Sequence, residues 1–440
     1  MEARRISAYA VVVLTVFFAA SFPLIQGCGR SDRPNVVLVV IDTLRADHLS
    51  CYGYGENTSP FLDEIASKGV LFERAYSASS WTAPGTASIH TSMYPFQHGV
   101  LTGFAATKRA KEAGSTITLN KIPDEAVTLA EVFNGSGYAA FAVSDNLNIC
   151  REEGFDQGFD GFKSYNDKTA RVINGTLEEW EDEIKGATPY FLYIHYNDPH
   201  TPYHRRPEWY SRRTNKTRTK ISDYDGEINY VDAKLRDMFE LFEWDRDTIV
   251  AITSDHGEEF YEHGESGHGN NLHVETIHVP LLFYYPGEIE AGSRVAEPVS
   301  TIDIMPTLRD LAGLPADHGD EGVTLAPRLL GIDGPPADRH ILSHLVRTKE
   351  EWHSDLLSRS VVWDKWHYIA EVPYEEMLYD MDLDPEEMDN KIEEYGHTAQ
   401  SMRRRFDEFE STCRKLRRVS VQVPLTEQRI EELKSLGYIK

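Results

Sequence analysis

The chain has 440 residues, with 45 lysines and arginines against 71 aspartates and glutamates, for a formal charge of −26. That length holds two or three domain equivalents with a sizeable core, and 41% apolar and 11% aromatic content excludes a disordered tail. The acidity excludes a nucleic-acid or anionic-lipid surface binder, which needs a basic footprint, but allows an anionic substrate in a locally positive pocket. Cys28, Cys51, Cys150 and Cys413 form no C-x-x-C pair, which excludes a disulfide scaffold or a structural zinc knuckle; Cys51 and Cys150 are expected as free thiols.

At the N-terminus Arg4 and Arg5 precede an apolar run, Ala8–Ala20, that is short for a membrane span and ends in Leu24-Ile25-Gln26-Gly27-Cys28. A small residue directly before a cysteine resembles a bacterial lipoprotein signal. Residues 1–27 then read as a leader, and lipidated Cys28 would tether the chain to a membrane in the cell envelope, facing periplasm or exterior. Gln26 is a less usual occupant of its slot, which keeps an ordinary secretory signal or an uncleaved anchor as alternatives.

Asn35–Ile41 is a nearly unbroken β-branched run, the pattern of a strand buried on both faces of a parallel sheet. Helical patterns at Pro60–Lys68, Thr128–Phe133 and Ser222–Phe242 alternate with further strand-like runs at Ala139–Val143, Tyr190–Tyr196, Thr248–Thr253 and Val279–Tyr285. This alternation predicts a wound, mostly parallel α/β sheet with helices on both faces, over a catalytic domain of residues 28–335. From residue 336 to 440 the texture changes. Short strands at His340–Val346, Ser358–Val362 and Lys365–Ala370 predict a small antiparallel sheet, closed by a helix near Ala399–Lys415. The basic cluster around Arg403–Arg405 reads as a solvated helix face.

Three places concentrate reactive side chains. The first strand runs into Asp42 and Arg45, the fourth into Ser254-Asp255-His256-Gly257-Glu258, and Trp81-Thr82-Ala83-Pro84 reads as a turn into a helix with Pro84 in its first turn. Carboxylates at the ends of apolar strands are costly unless paired or metal-bound. Two carboxylates, an imidazole and a hydroxyl make a set for one divalent ion (Mn, Zn, Ca or Mg), with the nitrogen favouring Mn or Zn. Taken singly, each piece reads as a helix cap or a common dipeptide; order and context carry the signal. His195 falls inside a strand and reads as a packed core residue, while His263 and His273 read as loop surface and His98 as structural.

Ordered matches run from Val40-Ile41-Asp42-Thr43-Leu44-Arg45 and Ser80-Trp81-Thr82-Ala83-Pro84 through Asn197-Asp198-Pro199-His200 and Thr253-Ser254-Asp255-His256-Gly257. They continue with Gly267-His268-Gly269, Asp303-Ile304-Met305-Pro306-Thr307-Leu308, Leu378-Tyr379-Asp380, Asp384-Pro385-Glu386-Glu387 and Leu436-Gly437-Tyr438-Ile439. In these the chain resembles the sulfatases, within the alkaline-phosphatase-like superfamily, over nearly its whole mature length. The resemblance implies Asp42, Asp255 and His256 as metal ligands and Thr82 as a nucleophile that also touches the metal. It further implies His200 and His268 as catalytic groups beside the substrate anion, with Arg45 as a further residue on the substrate side of the site.

The departure from the family is at the nucleophile. Sulfatases carry Cys or Ser in Cys/Ser-x-Pro-x-Arg and oxidise it to formylglycine, whereas this chain reads Thr82-Ala83-Pro84-Gly85-Thr86, and Thr43 replaces a second Asp. The plain hydroxyl is therefore expected to attack directly. A formylglycine hydrate expels sulfate by collapsing to its aldehyde; a Thr adduct lacks that exit and needs a second in-line attack, which phosphorus accepts readily. The sequence thus points to phosphoester or phosphonate hydrolysis. A true sulfatase acting through Thr82, a phospho-head-group transferase and a degenerate binding lipoprotein stand as alternatives. Loops Ala105–Ile122 and Tyr203–Lys220 are the expected substrate selectors, for a small-molecule, glycan or lipid anionic ester.

Overall fold

The computed structural model describes residues 33–103, 116–166, 168–206, 220–316, 319–332, 338–348, 355–373, 375–424, 426–427 and 430–431. The leader with Cys28, the parts 105–115 and 207–219 of the two selector loops, and the terminal Leu436-Gly437-Tyr438-Ile439 lie outside the described residues.

The β-branched run Asn35–Ile41 is a central strand, and from Val36 on every residue in it is buried. It pairs in parallel with Tyr190–Tyr196 on one side and Thr248–Thr253 on the other, so both its faces need apolar side chains. The sheet runs in the order Ser293–Val295, Val70–Tyr76, His278–Tyr284, Thr248–Thr253, Asn35–Ile41, Tyr190–Tyr196, Ala139–Asp145, Gly161–Tyr165. The last five are mutually parallel; His278–Tyr284 runs antiparallel to both of its neighbours. One face packs on Phe133, Met305 and Leu308, the other on Phe61, Ile228, Leu235 and Trp244. Helices Pro60–Lys68, Leu129–Gly135 and Lys220–Leu241 fall where their apolar spacing puts them.

Val70–Tyr76 is a strand that the apolar pattern hides. Glu73 and Arg74 interrupt it, but they sit half-buried towards the sheet's margin, where Arg294 donates to Glu73 at 2.7 Å. Ile341–Thr348, Asp355–Trp363, Trp366–Val372 and Glu375–Asp380 form a four-stranded antiparallel sheet, one strand more than the apolar runs predict. Helix Gly396–Thr412 closes it through Ala399, Met402 and Phe406, and its Arg403 is exposed and paired with Glu376. The chain then returns, pairing Val419–Pro424 with Thr116–Lys121. Cys51, Cys150 and Cys413 are free thiols. No helix among the described residues is long and apolar enough to cross a membrane.

Candidate active site and metal centre

The parallel strand order sets the site. Neighbouring strands Thr248–Thr253, Asn35–Ile41, Tyr190–Tyr196 and Ala139–Asp145 end side by side, so the residues just past them, Asp255 and His256, Asp42, Asn197 and His200, and Asn146, collect at one edge. The loops are laced together: Ser254 Oγ accepts from Leu44 N at 2.9 Å and donates to the His256 carbonyl at 2.6 Å. The Tyr224 hydroxyl donates to the Thr43 carbonyl at 2.7 Å and accepts from Arg45 N at 3.0 Å. Thr43 itself holds a left-handed φ of 58°, a strained setting for a β-branched residue.

Thr82 opens the wholly buried helix Thr82–Thr91. A Cβ on Gly85 would lie 2.5 Å from the Asp255 carbonyl oxygen, so glycine is what lets the helix start press against the ligand loop. As a result Thr82 Oγ1 lies 3.2 Å from His256 Nε2 and 3.5 Å from Asp42 Oδ2. His256 Nε2 is 3.4 Å from Asp42 Oδ1 and 3.8 Å from Asp255 Oδ2. All four side chains are inaccessible to solvent or nearly so.

A divalent cation fits this set. Asp42 Oδ1 is buried with no hydrogen-bond donor among the described residues, an arrangement that costs free energy unless a positive charge faces it. Burial raises the pKa of Asp42, and burial with the nearby Asp42 charge raises Asp255 to about 7. Burial and the neighbouring histidines push His256 down, keeping it the neutral imidazole a metal requires. Asp42, Asp255, His256 and Thr82 are the residues that would hold the ion.

His200 and His268 border the cluster, their ring centroids 4.9 Å apart, with the His268 ring 4.5 Å from that of His256. His200 is lowered by burial, against the pull of Asp42. For His268 burial works against the proton, but Glu258, 3.3 Å from Nδ1, prevails with Asp42 and Asp255 and raises it. Arg45 is not part of this grouping: its guanidinium is committed to Asp47 at 2.7 Å, Glu262 at 2.6 Å and the Glu258 carbonyl at 2.9 Å, bracing the loops instead.

Two residues escape the sequence reading. His195 is buried in its strand as expected, yet Nε2 sits 3.3 Å from Asp42 Oδ2 and Nδ1 2.8 Å from the Tyr193 hydroxyl. It forms a ligand-like trio with Asp42 and Asp255, and burial lowers it to about 4. Its signal is strand alternation, which puts it on the same face as Asn197. Asn146 donates to Asp42 Oδ2 at 2.5 Å and to Asn197 Oδ1 at 3.0 Å, and its own signal is a polar residue just past a strand end. His263 and His273 are not loop surface; both are tied to Glu387. His98 is structural, accepting from Val100 N and lying 3.1 Å from Ser88 Oγ.

The model of the Sulfatase family matches residues 34–314, and that of the C-terminal part of N-sulphoglucosamine sulphohydrolase matches residues 264–412. The chain belongs to the sulfatase family. Like that family, it is a hydrolase acting on ester bonds. Among curated sulfatases it is 24% identical to the Delta 4,5-hexuronate-2-O-sulfatase of Bacteroides thetaiotaomicron, over 82% of this chain and 86% of the relative. It is 26% identical to the human N-acetylgalactosamine-6-sulfatase, over 69% of this chain and 67% of that one. The fold is shared with a 2-O GAG sulfatase at a TM-score of 0.73 and 20% identity, covering 86% and 92% of the two chains. It is shared also with a phosphonate monoester hydrolase of Agrobacterium radiobacter, at a TM-score of 0.66 and 20% identity, covering 86% and 96%. In this sulfatase-family chain Thr86 puts its hydroxyl 3.3 Å from Asp255 Oδ2.

Proposed function

We propose that this sulfatase-family chain is a metal-dependent ester hydrolase in which Thr82 attacks directly, on phosphate or phosphonate esters. The observation that carries the reading is the Thr82 hydroxyl itself, within hydrogen-bonding reach of His256 and Asp42 inside a buried carboxylate–imidazole cluster. When bound, the divalent ion supplies Lewis acidity to that hydroxyl and to an ester oxygen. Thr82 Oγ1, whose proton passes by way of solvent to His200 Nε2, then forms a bond to phosphorus while the ester's alkoxy oxygen leaves in line and takes that proton from His200. The His200 Nδ1 donates to the Thr201 carbonyl at 2.6 Å, which fixes the ring for that task. His268, beside Glu258, faces the anion as an imidazolium, and N–H groups at the start of Thr82–Thr91 add to the positive field. Water attacks the phospho-Thr82 adduct and restores the hydroxyl.

Sulfate ester hydrolysis through the same hydroxyl is the second reading, favoured by the names of the curated relatives. Rates on p-nitrophenyl sulfate, phosphate, phosphonate and bis-phosphate esters, with and without an added acceptor alcohol, separate these chemistries from transfer. Higher kcat/KM on the sulfate would overturn the phosphorus preference. Lipidation of Cys28 belongs to the same proposal, and a mature protein that takes up no labelled fatty acid contradicts it.

A further inference from the structure

Glu387 lies in the loop after Glu375–Asp380, in the part of the chain that builds the antiparallel sheet, yet its side chain is fully buried against the histidines of the catalytic part. Its φ of 56° is left-handed, a strained conformation for glutamate that persists only where surroundings enforce it. Oε2 accepts from His273 Nδ1 at 2.9 Å and from Val274 N at 3.1 Å, and Oε1 accepts from His367 Nδ1. Its backbone carbonyl accepts from His263 Nε2 at 3.1 Å, while His263 Nδ1 donates to Glu275 at 2.8 Å. Both nitrogens of His263 face acceptors, so the ring is an imidazolium.

Three potential ligand atoms of His263, His273 and Glu387 lie within 4.8 Å of one another, which raises the question of a second metal site. The ring geometry argues against it. The two imidazoles stack with centroids 3.6 Å apart and planes only 3° from parallel. A nitrogen lone pair lies in its ring plane, so two parallel stacked rings do not aim at one ion.

His268 stands midway between His263 and His273 in the sequence. Both ends of its loop are therefore fastened to a single residue, and Glu259 gathers the interior by accepting from His263 N at 3.0 Å, Glu265 N at 2.8 Å and Asn271 Nδ2 at 2.8 Å. We propose that Glu387 is a positioning residue, straining its own backbone to strap the His263–His273 loop and set His268 against the substrate anion. This rests on the role of His268 given above.

The test is a double-mutant cycle read by calorimetric binding of inorganic phosphate to the metal-loaded enzyme. Glu387→Gln keeps the size but cannot accept on both sides at once. It is expected to weaken phosphate about 10-fold in the wild-type background and to have little effect in a His268→Ala background. Equal effects in both backgrounds, or none in either, overturn the strap. A His268→Ala variant that binds phosphate like wild type overturns the role of His268 instead, so the two failures are told apart. If Glu387→Gln melts below the assay temperature, His263→Gln, which releases one end of the strap, carries the same comparison with the same outcomes. A second equivalent of zinc or manganese that is lost on His273→Ala would make the cluster a metal site and overturn the proposal.

Discussion

Thr82 Oγ1 stands 3.2 Å from His256 Nε2, although 174 positions separate the two residues along the chain. A hydroxyl at the first residue of a buried helix and an imidazole just past a buried strand meet because Gly85 lets the helix close on the Asp255 carbonyl. The account depends on that meeting.

Gly85→Ala tests it sterically. The added methyl would sit 2.5 Å from a backbone oxygen that cannot swing away, so helix and ligand loop must separate. Loss of about 1–3 kcal/mol of stability is expected, with a larger proportional loss of turnover. Chemical denaturation and a steady-state assay on the same preparation measure both; unchanged activity in a destabilised variant contradicts the closeness.

Removal of the metal has a predicted sign in stability as well as activity. An ion bound only by the native cluster stabilises by about 2.7 kcal/mol at a hundredfold excess over its Kd. Dialysis against chelator should lower the unfolding midpoint and stop turnover, and Mn or Zn should restore both. A melting curve indifferent to chelator and metal speaks against a resident ion.

Asn146 donates to Asp42 Oδ2, the oxygen that Thr82 Oγ1 also approaches, and bridges it to Asn197. Asn146→Ala leaves the carboxylate without that donor, and metal affinity is expected to fall about 10–100-fold. Titration calorimetry of the metal-free protein reads this directly. Unaltered affinity would reduce Asn146 to packing.

The His263 proton gives a pH dependence. Burial works against it, but the Glu275 carboxylate, with Glu387 behind, raises the pKa from 6.5 to about 9. His273 stacks on its face, and the Glu259 carboxylate accepts its backbone N–H. A raised folded-state value means the proton's stabilisation is complete below the unfolded value and is lost as pH rises through about 9. Unfolding midpoints measured from neutral to alkaline pH should fall more steeply for wild type than for His263→Gln. Parallel slopes would contradict the assignment.

The fold was legible where burial is two-sided: Asn35–Ile41, Tyr190–Tyr196 and Thr248–Thr253 carry apolar or aromatic side chains on both faces through most of their length. Val70–Tyr76 was hidden because margin strands tolerate Glu73 and Arg74, whose tips find partners outside the core. In the site, Asp42, Thr82, Asp255 and His256 were legible as polar groups placed against apolar elements. His195 was not, since a histidine inside a strand looks the same whether it fills space or touches Asp42. Arg45 was misplaced because adjacency to a ligand says nothing of where a long side chain goes, and it goes to Asp47 and Glu262. The role of Glu387 was beyond reach, as the loop partners His263 and His273 lie more than a hundred positions away.

The central claim, attack by an unmodified Thr82, is tested most directly by mass spectrometry of the Thr82 peptide after rapid acid quench during turnover of a phosphonate or phosphate ester. The account predicts an unoxidised threonine carrying the transferred phosphorus group in wild type, and neither adduct nor turnover in Thr82→Ala. Wild-type rates in Thr82→Ala would contradict it.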